Sequence, residues 1–252
     1  MPDQMHALVV KGLSKSFGGV HAVRSADLAV PTGERRALIG PNGAGKTTLF
    51  NLITGVMKPD EGTIEMYGID VTKQSIQKRS RLGLGRTYQI SQLLLDLSVE
   101  ENLYLAGKRS KRLDLQFVKP WRSYQEERNW AHEVAEQVGL ENHLNEKVAE
   151  ISHGLQRQLE VGMAVAMRPR LIMLDEPAAG LSPSERLILT DLIRKLPHEV
   201  TLILIEHDME VVLDIADQIT VLNRGAVLAE GTPEEIRNNQ EVQDVYLGST
   251  HV

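Results

Sequence analysis

Cysteine is absent from the 252-residue chain. Disulfides, thiolate zinc sites and iron–sulfur clusters are therefore excluded, and a reducing compartment fits. Long apolar runs are missing too. None approaches the roughly 18 residues a membrane-crossing helix needs, so any work at a membrane is expected to pass through another protein. Met1 to His6 shows no basic segment followed by an apolar core, and no secretory signal is expected. A net charge of −6 gives no basic excess, which counts against a dedicated nucleic-acid binder. Internal repeats, low-complexity tracts and flexible linkers are not visible. What remains is ordinary globular composition, 42% apolar and 25% charged, in a chain long enough for one elaborate domain or two joined subdomains.

Against this background one octapeptide stands out. Gly40-Pro41-Asn42-Gly43-Ala44-Gly45-Lys46-Thr47 matches the G-x-x-x-x-G-K-[ST] phosphate-binding loop in full. The apolar run Ala37-Leu38-Ile39 leads into it, and Thr48-Leu49-Phe50-Asn51-Leu52-Ile53 follows with helix-compatible spacing. Glycines allow the tight turn that aims consecutive N–H groups at a β-phosphate, at the positive end of a helix. Lys46 is expected to reach the β- and γ-phosphates, and the Thr47 hydroxyl to bind Mg²⁺. These residues, with Thr48 beside them, predict a nucleoside triphosphate site.

Short strands precede and surround the loop: Ala7–Val10, Asp27–Val30, Gly62–Met66 and Leu84–Thr87. Near residue 90 the pattern turns helical. Ser98 and Glu101 form a capping-box pair, a polar basic stretch runs from Lys108 to Arg122, and a helix is expected from about Tyr124 to Val138. Strand–helix alternation returns after Arg170. Leu171–Leu174 and Leu202–Ile205 read as buried parallel strands, while Ser182-Pro183-Ser184-Glu185 and Thr232-Pro233-Glu234-Glu235 open helices. The expected fold is a parallel α/β core with a helical insertion between about residues 90 and 160.

The strand Leu171–Leu174 ends in Asp175-Glu176. At such a strand end the first acid usually holds Mg²⁺, and the second can polarise the attacking water. Asp175 is assigned to the metal and Glu176 to the water. Gln89, between the strand-rich and helical parts, could touch Mg²⁺ or the water and report γ-phosphate to the inserted helices. His207 follows the strand Thr201–Ile205, where an imidazole can hydrogen-bond γ-phosphate and hold the water in line. Phe17, one of only three phenylalanines, is a candidate platform for adenine, with core packing as the alternative.

In this order the residues resemble the ATP-binding subunit of ABC transporters over essentially the whole chain. The resemblance implies a P-loop NTPase (RecA-like) parallel-sheet core, residues 1–89 and 161–252, with an N-terminal antiparallel β subdomain and a helical subdomain at 90–160. It also implies ATP and Mg²⁺ as ligands. Ser152-His153-Gly154-Leu155-Gln156 corresponds to the family signature, whose Ser152 and Gly154 would face the γ-phosphate bound by the opposite subunit of a head-to-tail dimer. His153, Leu155 and Ser182 depart from the usual pattern and are expected to tune communication without abolishing hydrolysis. Gly18–Val23, Arg86–Gln89, Ser152–Gly154, Glu206–Met209 and Val245–Gly248 resemble importers of branched-chain amino acids in particular. Urea or amide importers, lipopolysaccharide-type exporters and soluble non-transport ABC ATPases remain alternatives. The implied partners are transmembrane permease subunits, a second ATPase subunit (identical or different) and, indirectly, a solute-binding protein. The implied location is the cytoplasmic face of the inner membrane. Ile90, Leu93, Leu94, Leu95 and Leu97 are candidates for the permease-docking groove, with subdomain core as the alternative.

Overall fold

The computed structural model describes residues 5–86, 93–110 and 125–248. Two sheets organise these residues. Strands β1 (His6–Phe17), β2 (Val20–Pro31), β4 (Glu61–Met66) and β5 (Ile69–Asp70) form an antiparallel sheet in the order β2-β1-β4-β5. Strands β3 (Arg35–Ile39), β6 (Leu84–Arg86), β7 (Leu171–Asp175), β8 (Thr201–Ile205), β9 (Gln218–Asn223) and β10 (Ala226–Gly231) form a second sheet in the order β10-β9-β3-β8-β7-β6. Its pairs are parallel except β9 with β10. In β3 and β8 every residue is buried, as expected for parallel strands covered on both faces.

The first two strands are far longer than the apolar runs Ala7–Val10 and Asp27–Val30 indicate. Their remaining halves form a two-stranded extension that closes at Gly18-Gly19, with register shifts along it and Leu13, Val23 and Ala26 buried in the core. The register shifts break the strict two-residue alternation, so Leu13, Val23 and Ala26 do not continue the apolar runs in a pattern that can be read from sequence.

Helices α1 (Lys46–Thr54), α2 (Ile76–Arg81), α6 (Pro183–Arg194), α7 (Met209–Ile215), α8 (Pro233–Arg237) and α9 (Gln240–Gly248) accompany the sheets. Helices α3 (Val99–Ser110), α4 (Gln125–Gln137) and α5 (His153–Ala166) pack on one another. Val99, Leu103, Val134, Val138 and Leu159 lie at the centre of that packing. The expected caps are present. The Ser98 N–H donates to Glu101 Oε2 at 2.8 Å, and reciprocal capping boxes join Ser182 to Glu185 and Thr232 to Glu235. Leu93 is buried in the helical core, whereas Leu94 and Leu95 are exposed, so the proposed docking cluster divides. Ile90 lies outside the described residues.

Candidate functional site

Parallel register brings three strand ends to one edge. Leu38 pairs with Ile205, and Ile205 pairs with Asp175. Ile39, Asp175 and Ile205 therefore deliver Gly40, Glu176 and Glu206 to the carboxyl end of neighbouring strands, the usual place for ligands in an open α/β sheet.

The loop at Gly40–Thr47 is held by close backbone packing. Gly40 has φ 149°, and a Cβ there would overlap the Leu222 carbonyl oxygen. Gly45 caps α1 at φ 102°, and a Cβ there would overlap the Ala22 carbonyl oxygen. Only glycine satisfies both the positive φ and the contact. The first turn of α1 carries no acid to neutralise its positive end. Pro41 is partly buried, Asn42 and Gly43 are exposed, Ala44 is buried, and Thr47 and Thr48 are partly buried in the opening turn. Lys46 is buried and donates to the carbonyls of Gly40 at 2.6 Å and Pro41 at 3.1 Å. Burial pulls its ammonium below its ordinary pKa, against the opposing pull of Glu176 and Asp175.

Those two acids are placed by the end of β7. Burial, reinforced by Glu176, pushes the Asp175 carboxyl up to about 6. Glu176 leaves the strand at φ 46°, the left-handed region that non-glycine residues rarely occupy, while its N–H donates to the Ile205 carbonyl at 2.9 Å. Strained residues of this kind cluster at working sites. His207 Nδ1 lies 3.8 Å from Glu176 Oε1, and its side chain is largely exposed. Lys46, Asp175, Glu176 and His207 thus converge.

Phe17 sits at the end of the β1–β2 arm, 47% exposed, with the Lys15 ammonium 5.7 Å from its ring centroid. Core packing is therefore not its role. The same arm reaches the loop through Ala22. Ser152 caps α5 by accepting from the Leu155 N–H at 3.3 Å. Gly154 is buried beneath the Glu185 carboxylate, which accepts from its N–H. These contacts run to α5 and α6 and not to residues 40–48. Leu155, one of the departures from the family pattern, packs against the helical core. Gln89 lies outside the described residues.

Three positions escape sequence reading, and a fourth, Glu185, is legible only as a helix cap. Glu206 is fully buried and accepts from the N–H groups of Ala178 (3.0 Å) and His207 (3.1 Å). It ties the segment after Glu176 to the one carrying His207, and burial pushes its carboxyl up. The only sequence signal was an acid directly after a buried apolar run. Arg79, 1% exposed, donates to the carbonyls of Leu52 (2.7 Å) and Ile53 (2.5 Å) at the end of α1, and to Gln74 and Thr72. Glu185 joins Ser182 to Gly154, and its bonds to Ser182 hold the carboxyl below its ordinary range. Tyr246 of α9 approaches Gly40. No helix among the described residues is long and apolar enough to cross a membrane.

Comparison with known proteins agrees with this geometry. The family model described as ABC transporter matches residues 23–179, and one described as branched-chain amino acid ATP-binding cassette transporter matches residues 226–252. The high-affinity branched-chain amino acid transport ATP-binding protein BraF of Pseudomonas aeruginosa is 42% identical over 248 residues, covering 96% of this chain and 97% of its own. LivG of Escherichia coli, with the same description, is 41% identical at the same coverage. Among solved structures, the ADP conformation of MJ1267, an ATP-binding cassette of an ABC transporter, superposes with a TM-score of 0.85 at 31% identity, covering 97% of this chain and 99% of that one. The chain belongs to the ABC transporter family, as an ATP-binding, ATP-hydrolysing subunit of the branched-chain amino-acid transporter type.

Proposed function

We propose that the chain powers import of branched-chain amino acids by binding ATP between residues 40–48 of one cassette and the α5 N-terminus of another. The convergence of Lys46, Asp175, Glu176 and His207 at one sheet edge carries this reading. Each residue then has a physical task. Backbone N–H groups of the loop and the Lys46 ammonium hold the β- and γ-phosphates, and Phe17 stacks on adenine. Glu176 polarises the attacking water, and His207, within reach of the same carboxylate, keeps that water in line. Glu206 positions both through the backbone groups it holds.

The donor set suits Mg²⁺. A hydroxyl (Thr47) and one carboxyl (Asp175) would hold the ion, with substrate phosphates and water supplying the other oxygens. Asp175, pushed up by burial beside another acid, is a group that gains from a neighbouring cation. When bound, Mg²⁺ supplies positive charge to the phosphates. Gln89 is proposed as a further ligand, outside the described residues.

Ser152 and Gly154 are proposed to receive the γ-phosphate of the opposite cassette, identical or different. ATP then closes the pair and hydrolysis releases it. In this reading residues 1–89 and 161–252 are the nucleotide-binding core, and residues 90–160 carry the motion to permease subunits at the cytoplasmic face of the inner membrane. The exposed Leu94 and Leu95 belong to that contact. A solute-binding protein takes part indirectly.

Glu176→Gln tests the assignment. A carboxamide cannot act as the base, so nucleotide binding should persist while turnover falls by about 10²-fold or more. Wild-type turnover in this variant would remove Glu176 from the role.

A further inference from the structure

Two hairpin turns of this chain share a backbone form and differ in their surroundings. Tyr67-Gly68 joins β4 to β5 with φ 51° and 76°, and Arg224-Gly225 joins β9 to β10 with φ 48° and 84°. Two central residues at positive φ are the pattern of the type I′ hairpin turn, whose twist matches that of the strands. A Cβ on Gly68 would meet nothing within 4 Å. A Cβ on Gly225 would meet the Ala22 carbonyl oxygen at 3.0 Å and the His21 carbonyl oxygen at 3.2 Å. Turn geometry is the whole account of Gly68, whereas at Gly225 a neighbour also leaves no room for a side chain.

That neighbour is the β1–β2 arm. The Gly225 carbonyl accepts the Arg24 N–H at 2.7 Å, and the Gly225 N–H donates to the Ala44 carbonyl at 2.9 Å. One residue thus joins the arm to the phosphate loop through both of its backbone groups. The Ala22 carbonyl also lies against Gly45 of the loop, so three backbone segments touch where two glycines leave space. From this junction the arm runs to its tip, where His21 pairs with Ser16 and Phe17 follows.

We propose that Gly225 is a positioning residue for nucleotide binding: it sets the span between the phosphate loop and the Phe17 ring. The proposal rests on residues 40–48 holding phosphate and on Phe17 stacking on the base. Gly225→Asn tests it, because asparagine tolerates positive φ while its Cβ must displace the Ala22 carbonyl by a few tenths of an ångström. A ligand that spans loop and ring should suffer, and one that uses the loop alone should not. In the full chain the Kd for MgADP by calorimetry should rise about fivefold, the size of one lost ring contact. The Kd for magnesium pyrophosphate should stay within about twofold of wild type. The KM for ATP should rise with that for MgADP, with kcat within about twofold. Gly68→Asn, in the same kind of turn but facing open space, should change neither Kd. A single glycine inserted after Gly225 adds no side chain and loosens the same span, so it should reproduce the result even if Gly225→Asn does not fold.

Equal weakening of MgADP and pyrophosphate in these Gly225 variants, or no weakening of either, would overturn the proposal. Failure of the wild-type chain to bind MgADP would instead sink the reading of the loop, and wild-type affinity in Phe17→Ala would sink the reading of the base platform.

Discussion

Asp175 is expected to weaken the fold that carries it. Its carboxyl is pushed from 3.8 to about 6, chiefly by burial and then by Glu176. A folded-state pKa raised above the unfolded one means that the native protein binds the proton more tightly. Stability is then highest below about pH 4 as far as this group is concerned, and is lost as pH rises through 6. At about 1.4 kcal/mol per pH unit, the full loss above pH 6 is about 3 kcal/mol. The carboxyl is only partly buried, so solvent screening reduces this to about 1–2 kcal/mol. Asp175→Asn mimics the protonated form at every pH. Urea denaturation of wild type and variant, without nucleotide or Mg²⁺, should give similar stabilities near pH 4. By pH 7 the variant should be about 1–2 kcal/mol more stable. The same variant should lose Mg²⁺-dependent ATP hydrolysis. Equal stabilities from pH 4 to 7, or a less stable variant at pH 7, would refute the reasoning.

Two further substitutions probe the loop and its support. Lys46→Ala removes the buried ammonium that is proposed to meet the phosphates, and affinity for MgADP should fall at least tenfold by calorimetry; unchanged affinity would count heavily against the assignment. Arg79→Met keeps the apolar stem but leaves the Leu52 and Ile53 carbonyls without their donor, so stability should fall by about 3 kcal/mol in urea denaturation. A loss under about 1 kcal/mol would mean that water reaches those carbonyls.

What could be read from the sequence follows the range of the interactions involved. The phosphate loop and the caps at Ser98, Ser182 and Thr232 depend on residues within a few positions of one another, and each appears where the pattern places it. Buried strands β7 and β8 announce themselves as apolar runs because both faces are covered. Glu206 and Arg79 are different, because their partners lie 28 and 27 positions away. No local pattern marks which buried acid or arginine will find a distant backbone group. Glu185 falls between these cases: its cap to Ser182 was legible, but its contact with Gly154 depends on how α5 meets α6. Phe17 needed the arm itself. Only when β1 and β2 extend to Phe17 and Val20 does its ring come to the surface, on the same arm whose Ala22 meets Gly45 of the loop.

The central proposal is that ATP bridges two cassettes, with the loop of one facing the α5 N-terminus of the other. Because the chain has no cysteine, a single introduced pair reports this contact without background. Asn42 and His153 are both exposed and neighbour the two surfaces. Chains carrying Glu176→Gln with Asn42→Cys should form disulfides with chains carrying Glu176→Gln and His153→Cys when MgATP is added, and not with MgADP. Cross-linking that ignores the nucleotide, or none at all while MgATP is demonstrably bound, would contradict the account.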